Sequence, residues 1–166
     1  MKTEVIPIDS LHIDPAALEQ AAAIIRRGGL VAFPTETVYA LGADVFNRNA
    51  VESVFRAKGR PATDPLIVHI AHAEQVDQVV STMPILAQRL AAAFWPGPLT
   101  LVLPRKESIP AEVSAGKNTV AVRLPAHPVI CRLIEEAGVP VVGPSANRFG
   151  HTSPTTAQHV LDDLDG

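Results

Sequence analysis

Short apolar runs alternate with helical patterns along the chain, and this alternation constrains the fold more than any other feature. Between the runs, apolar residues recur every three or four positions, as they do on one face of a helix. Chains that alternate strands with helices favour an α/β domain. The sequence therefore predicts an α/β class with a mixed, twisted sheet and flanking helices. The predicted strands are TEVIPI, LVAF, LIVHI, LTLVLP, TVAVRLP and VPVVGPS.

Capping residues mark several helix boundaries. Asp14 followed by Pro15 is typical of a helix start. The second predicted helix places Lys58 in its last turn, where a cation interacts favourably with the helix dipole. The last helix is predicted to begin with Ser153 as its N-cap and Pro154 as its first residue. The helical patterns cover residues 15–29, 49–58, 73–80, 84–95, 127–138 and 153–166.

Composition narrows the class of protein. A chain of 166 residues, 47% hydrophobic and 19% charged, is long and apolar enough to form one globular domain with a core. The net charge of −3 argues against a generally basic nucleic-acid binder but leaves room for a local basic cleft. The single cysteine, Cys131, excludes an internal disulfide and fits a cytoplasmic protein. No apolar run approaches the roughly 20 residues of a membrane span, so no membrane partner is predicted.

Several well-known motifs are absent. The segment SAGKNT at residues 114–119 resembles a phosphate-binding loop, but Ala111 replaces the first required glycine and Asn118 replaces the required serine or threonine. The chain has no GxGxxG fingerprint, no GxSxG elbow, and no HExxH or CxxC pair. We therefore predict no metal site formed by the protein and no nucleophilic triad.

Polar residues cluster instead beside the predicted strands, where open α/β sheets place their ligands. Hydroxyls, amides and arginines in such positions suit a nucleotide or another polyanion held without a phosphate-binding loop. Taken singly, most of these residues are better explained as caps, turns or surface residues. Their clustering makes an anion site an equal alternative, and both interpretations stay open at this point. The set comprises Thr35, Glu36, Thr37, Lys58, Arg60, Asp64, His69, Arg123, Ser145, Asn147 and Ser153.

Five ordered motifs carry a resemblance to a known family. From about residue 28 to residue 155, the chain strongly resembles the YrdC-like threonylcarbamoyl-adenylate synthases. The resemblance implies a nucleotidyltransferase that makes threonylcarbamoyl-AMP and pyrophosphate from L-threonine, bicarbonate and ATP. It also implies Mg²⁺ carried by ATP, partner proteins that pass the product to tRNA, and a twisted sheet around a deep, basic cleft. The motifs are GGLVAFPTETVYALGAD, KGRPATDPLIVHI, FWPGPLTLVL, TVAVRLPAHP and GPSANRFGHTSPT.

The resemblance also implies roles for individual residues, although it identifies no certain catalytic residue or general base. Threonine is expected to bind at Thr37, His69, Arg123 and Gly143. ATP is expected to bind at Lys58, Arg60, Asp64, Thr119, Ser145, Asn147 and Ser153.

The chain departs from the family pattern at three places. Ala40 stands where glycine is usual, and Asp64 stands where asparagine is usual. An ST-containing strand and an RPG segment are expected after the last helix, so residues 1–166 are predicted to form one domain that lacks its C-terminal strands.

Two alternatives to a synthase remain open. One is a non-catalytic module that binds double-stranded RNA or tRNA through a basic cleft. The other is a carbamoyl-handling maturation domain. The PSAN and KGRP segments favour the synthase, because RNA binding alone does not require a pocket for a small amino acid.

Overall fold

Six short strands form one sheet in the order β1-β2-β6-β3-β5-β4. The computed structural model describes residues 3–166. The predicted α/β class with a mixed sheet and flanking helices is confirmed. The strands are β1 Val31–Phe33, β2 Ala40–Asp44, β3 Ile67–His69, β4 Leu101–Pro104, β5 Thr119–Arg123 and β6 Val141–Val142.

The helices begin and end at residues suited to capping. Asp14 Oδ1 accepts a hydrogen bond of 3.0 Å from the backbone nitrogen of Ala16, as the predicted N-cap should. Asn47 caps the second helix in the same way, and Gly59 ends it with a φ of 61°. The helices are α1 Pro15–Arg26, α2 Arg48–Lys58, α3 Val76–Val79, α4 Ile85–Phe94, α5 Pro128–Ala137 and α6 Ala157–Leu164. Short 3₁₀ turns span Ala73–Gln75 and Ala111–Ser114.

Strand direction decides where the polar residues lie. β3 and β5 run parallel, whereas all the other pairings in the sheet are antiparallel. Because β6 runs against β3, its C-terminal end lies at the opposite edge of the sheet from the ends of β3 and β5. The polar residues that follow the strands therefore come from both edges of the sheet rather than from a common one.

Each face of the sheet packs on its own apolar cluster. Helices α1 and α5 cover one face, where Ile25 and Ile130 pack near Val141. The other face carries Val68 and Val142 and packs against α2, α3 and α4. Each fully buried leucine or isoleucine contributes about 2 kcal/mol relative to exposure, so both layers stabilise the sheet on which the polar residues lie.

Two predicted elements differ from the structure, and one observed strand was not predicted. Residues 3–8 form no strand, because their alternating pattern finds no partner strand and Pro7 has no N–H to donate. The strand β2 was not predicted, since it consists largely of small residues. The last helix begins at Ala157 with Thr156 as its N-cap, so the predicted cap at Ser153 is wrong.

No helix within residues 3–166 combines the length and apolar character that crossing a membrane requires.

Candidate active site

Arg123 is the centre of a first group of polar residues. Its side chain is buried, and Nε donates to the Gly97 carbonyl oxygen at 3.2 Å. Nη2 donates to Glu36 Oε1 at 2.5 Å and to Thr37 Oγ1 at 3.3 Å. In the parallel β3–β5 pair, His69 lies directly opposite Arg123, so both side chains project from the same face of the sheet. We call Glu36, Thr37, His69, Arg123 and Gly143 the strand-end cluster.

A hydroxyl-stabilised turn presents Glu36 and Thr37 to Arg123. Thr35 Oγ1 accepts hydrogen bonds of 3.2 Å from the backbone nitrogens of Thr37 and Val38, and it donates to the Val38 carbonyl at 2.6 Å. This is the local side-chain-to-backbone bonding that favours turns over strands. The turn explains why polar residues follow β1 so closely.

His69 is held as a neutral ring. Its Nε2 lies 3.1 Å from the Gly143 carbonyl oxygen, which can only accept, so Nε2 carries the proton and Nδ1 carries the lone pair. Burial lowers the pKa of His69 to about 4. The Phe33 ring contacts the imidazole edge-to-face with centroids 6.3 Å apart. Within the described residues, Nδ1 is buried without a hydrogen-bond partner, so it can accept one from a ligand.

Gly143 is required by the close approach of this ring. A Cβ atom at position 143 would lie 2.5 Å from His69 Cδ2 and 2.8 Å from His69 Nε2. Contacts this short do not occur between real atoms, so the absence of a side chain lets the backbone carbonyl reach the imidazole.

Lys58 anchors a second group of polar residues. Its buried ammonium donates to the carbonyl oxygens of Ser145 and, at 2.5 Å, Asn147. In return, the Phe149 backbone nitrogen donates to the Lys58 carbonyl at 2.8 Å. Burial, together with the nearby Arg60 charge, lowers the pKa of Lys58 to about 8. The lysine therefore stabilises a turn far from it in sequence.

Arg60 likewise bonds to the loop that follows it. Nη2 donates to the Pro65 carbonyl at 2.9 Å and lies 3.9 Å from Asp64 Oδ2. Nε makes a long contact of 3.5 Å with the Asp64 carbonyl. We call Lys58, Arg60, Asp64, Ser145 and Asn147 the loop cluster.

Asp163 on α6 braces the segment that follows Asn147. Its carboxylate accepts from the Arg148 backbone nitrogen at 3.0 Å and lies 2.9 Å from His151 Nδ1. Asn147 Nδ2 donates to the carbonyls of Arg148 at 2.7 Å and His151 at 2.9 Å. Sequence reasoning did not select Asp163, because a carboxylate on the last helix is indistinguishable there from a solvated surface residue.

The two clusters adjoin one another through the backbone. Gly143 and Ser145 are two residues apart, and the Ala146 nitrogen donates to the Tyr39 carbonyl at 2.8 Å. The Tyr39 nitrogen donates in turn to the Pro154 carbonyl at 2.8 Å, so the segment that contains Ser153 is bonded to Tyr39.

Thr119 lies outside these contacts, and two surface concavities lie near them. Thr119 is exposed at the first position of β5, opposite Pro104 at the end of β4. A concavity of about 310 Å³ is lined by Phe94, Pro98 and Leu99, and Pro98 directly follows Gly97, whose carbonyl accepts from Arg123. A second, of about 420 Å³, borders the loop cluster through Gly150, His151, Thr152, His159, Asp162 and Asp163. Among residues 3–166, no group of three or more histidine, cysteine or acidic side chains is placed to hold a metal ion.

Comparison with known proteins identifies the family. The sequence profile of the Sua5/YciO/YrdC family, described as telomere recombination, matches residues 23–166. The chain belongs to this family. The predicted resemblance is thereby confirmed, and it covers both clusters.

Relatives named threonylcarbamoyl-AMP synthase are similar over most of the chain. The Pyrococcus abyssi protein is 54% identical over 93% of this chain and 46% of its own length. The Bacillus subtilis protein is 49% identical over 95% of this chain and 46% of its own length. The chain thus spans about half the length of these relatives.

Solved structures agree with the fold. The crystal structure of P. abyssi Sua5 complexed with L-threonine is 52% identical, with a TM-score of 0.90 over 92% of this chain and 45% of that one. Escherichia coli YciO has a TM-score of 0.81 at 23% identity over 93% of this chain and 77% of that one, which shows the shared fold alone.

Proposed function

We propose that this chain is the synthase domain of a threonylcarbamoyl-AMP synthase, which joins L-threonine, bicarbonate and ATP and releases pyrophosphate. The observation that carries the proposal is the buried Arg123, set beside Thr37 and a neutral His69. It occurs in a chain 52% identical to a protein whose crystal structure contains L-threonine.

The strand-end cluster would bind threonine. Arginine has five N–H donors, and the described bonds of Arg123 engage Nε and Nη2, so Nη1 can take up a carboxylate. Thr37 Oγ1 and the lone pair on His69 Nδ1 suit the polar groups of the same ligand. The carbonyl of Gly143 keeps the imidazole in the tautomer that accepts there.

The loop cluster would bind ATP with Thr119 and Ser153. Hydroxyls of Thr119, Ser145 and Ser153 suit phosphate or ribose oxygens. Arg60 and Lys58 supply positive charge, and the Lys58 ammonium is mostly charged at pH 7 because its pKa is about 8. Mg²⁺ would travel with the ATP phosphates, which also offsets the Asp64 carboxylate.

Lys58 and Arg60 of the KGRP segment would contribute to phosphate binding by more than their positive charge. Lys58 and Arg60 both donate to backbone carbonyls. We infer that they also act indirectly, by stabilising the loop conformations that bind phosphate. Asn147 stabilises the turn that follows it by donating to the Arg148 carbonyl.

The chemistry requires positioning and charge more than a nucleophile on the protein. The threonine ammonium gives up a proton to solvent, and the free amine then adds to bicarbonate, which loses water to give a carbamate. A carbamate oxygen then attacks the α-phosphorus of ATP, and pyrophosphate leaves. Cations beside two anionic reactants lower the repulsion between them, and alignment of three small substrates contributes much of the rate. His69 is an unsuitable general base near pH 7, since its pKa is about 4.

Transfer of the threonylcarbamoyl group to tRNA through partner proteins in the cytoplasm belongs to the same proposal. The amino-acid subsite centred on Arg123 supports a synthase over an RNA-binding module, because RNA binding does not need a subsite for an amino acid.

Pyrophosphate release tests the proposal. Release from ATP should require both L-threonine and bicarbonate, and Arg123→Ala should abolish it. Arg48→Ala is the matched control, because Arg48 is a surface residue outside both clusters. Salt-dependent tRNA binding without any pyrophosphate release would instead identify a non-catalytic RNA module.

A further inference from the structure

Glu36 is an acidic residue that the expected set of substrate contacts leaves unassigned. Its Oε1 accepts from Arg123 Nη2 at 2.5 Å, and the same nitrogen contacts Thr37 Oγ1 at 3.3 Å. The Glu36 side chain is 20% exposed and that of Arg123 is 9% exposed, so the pair is largely shielded from water. Glu36 therefore places a carboxylate inside the strand-end cluster.

This carboxylate is charged at neutral pH. Burial raises the pKa of Glu36, but the Arg123 guanidinium and the backbone N–H groups of Glu36 and Ala126 hold it below its ordinary value. The Glu36 charge also acts on the His69 ring, as the Arg123 charge does. With His69 neutral, the cluster presents one positive and one negative group side by side.

One positive and one negative group match a zwitterionic amino acid. An α-amino acid carries its carboxylate and its ammonium on one carbon atom, so both charges must leave water together. Arg123 can compensate the carboxylate only, and a buried ammonium without a partner is costly. A carboxylate offers about four acceptor positions, and the hydrogen bond from Arg123 Nη2 to Oε1 takes one of them, so acceptor positions remain for a ligand.

We propose that Glu36 is the counter-ion of the substrate's α-ammonium, paired with Arg123 at the substrate carboxylate. The assignment rests on the proposed function, since it takes the amino acid to bind in the strand-end cluster. It makes Glu36 a specificity residue that selects α-amino acids over hydroxy acids of the same shape.

A purely structural role for Glu36 makes a different prediction. Its bonds connect the 35–38 turn to β5, so loss of the carboxylate could loosen the turn. That loosening would weaken every ligand of the cluster alike, whether or not the ligand carries an ammonium. The two roles therefore differ in how the variant responds to a ligand that lacks the amino group.

The test is calorimetric binding of L-threonine and of (R)-3-hydroxybutyrate, which keeps the carboxylate and the hydroxyl but lacks the ammonium. Glu36→Gln should weaken threonine binding by about tenfold to a hundredfold, the range for a hydrogen bond between charged groups. Binding of 3-hydroxybutyrate should stay the same or tighten. Glu36→Asp should recover part of the threonine affinity, and the surface variant Glu52→Gln should match the wild type.

Each outcome decides between the ideas. Equal weakening of both ligands, or threonine binding unchanged in Glu36→Gln, overturns the role of Glu36 and leaves the proposed function standing. A wild-type chain that binds 3-hydroxybutyrate as well as threonine also overturns it. A wild-type chain that binds no threonine overturns the proposed function itself, and the counter-ion role with it. If Glu36→Gln does not fold, Glu36→Asp is compared with the wild type instead. The deciding quantity is again the affinity for L-threonine divided by the affinity for 3-hydroxybutyrate.

Discussion

The strand-end cluster combines bonds between side chains with bonds to the backbone, whereas Lys58 and Arg60 of the loop cluster donate their hydrogen bonds to backbone carbonyls. Arg123, Glu36 and Thr37 bond to one another, on a sheet whose register sets their positions. Lys58 instead donates to two carbonyls. Arg60 donates to the carbonyls of its own loop.

Because their bonding partners differ, removal of a cation should have different effects in the two clusters. Removal of a side chain from the strand-end cluster takes away a charge partner while the sheet keeps its shape. Removal of Lys58 leaves buried carbonyls unsatisfied, so the loop itself should change. We therefore expect the first region to respond mainly in ligand affinity and the second partly in stability.

Arg123→Ala should have the largest effect and should separate the two regions. We expect threonine binding to fall by about a hundredfold or more, because a largely buried charge pair is broken and Glu36 is left without its partner. ATP binding should change by less than about threefold, since the described bonds of Arg123 do not reach the loop cluster. Calorimetric titration with each ligand measures both, and an equal loss of both would show that the clusters are not separate.

Acid should destabilise the chain through His69. The folded-state pKa of about 4 lies below the ordinary value of 6.5, so between these pH values the unfolded chain binds a proton that the folded chain does not. This contribution is complete above pH 6.5 and is lost as the pH falls towards 4, on the order of 3 kcal/mol. Urea unfolding at pH values from 4 to 7 gives the free energy of unfolding at each pH. This free energy should depend less steeply on pH in His69→Gln than in the wild type. His12→Gln, at an exposed histidine, is the control, and an unchanged slope in His69→Gln would contradict the neutral buried ring.

Lys58→Met should lower the free energy of unfolding by about 2 kcal/mol, because two backbone carbonyls lose a charged donor. Urea unfolding measures the change. Lys117→Met, at an exposed lysine, should stay within about 0.5 kcal/mol of the wild type. If Lys58→Met is as stable as the wild type and loses only ATP affinity, the lysine acts on phosphate directly and the contrast between the clusters fails.

Arg60→Ala should have the smallest effect on the fold and a moderate effect on the ligand. We expect ATP affinity to fall about tenfold, as for one charged hydrogen bond, with stability within about 1 kcal/mol of the wild type. ATP titration of the folded variant provides the measurement. Unchanged affinity would remove Arg60 from phosphate binding and leave it the loop-bracing role alone.

Most of the fold was predictable because local patterns determine it. The α5 segment buries Val129, Ile130, Leu133 and Ile134 at helical spacing, so its period could be recognised directly. The strand β2 could not, because its small residues have weak strand preference. It forms where Phe33 packs closely over Gly42, whose added Cβ would lie 2.3 Å from Phe33 Cε1. That contact joins two strands and has no local signature.

Some residues of the candidate site could be selected from the sequence, and others required the structure. Residue types and their order along the chain were enough to select Arg123, His69, Ser145 and Asn147 as one set, with their substrate roles standing as proposals. Asp163 required the structure, because only the fold brings α6 against the Arg148 backbone.

The sequence by itself determined which chemical groups the chain offers and most of its helices and strands, since both depend on residues close together along the chain. The tertiary structure alone decided what those groups contact. Lys58 meets the Ser145 carbonyl across 87 residues, and Arg123 meets Glu36 across the same separation. Strand direction and register set such distant pairings, and they depend on how both faces of the sheet are buried at once.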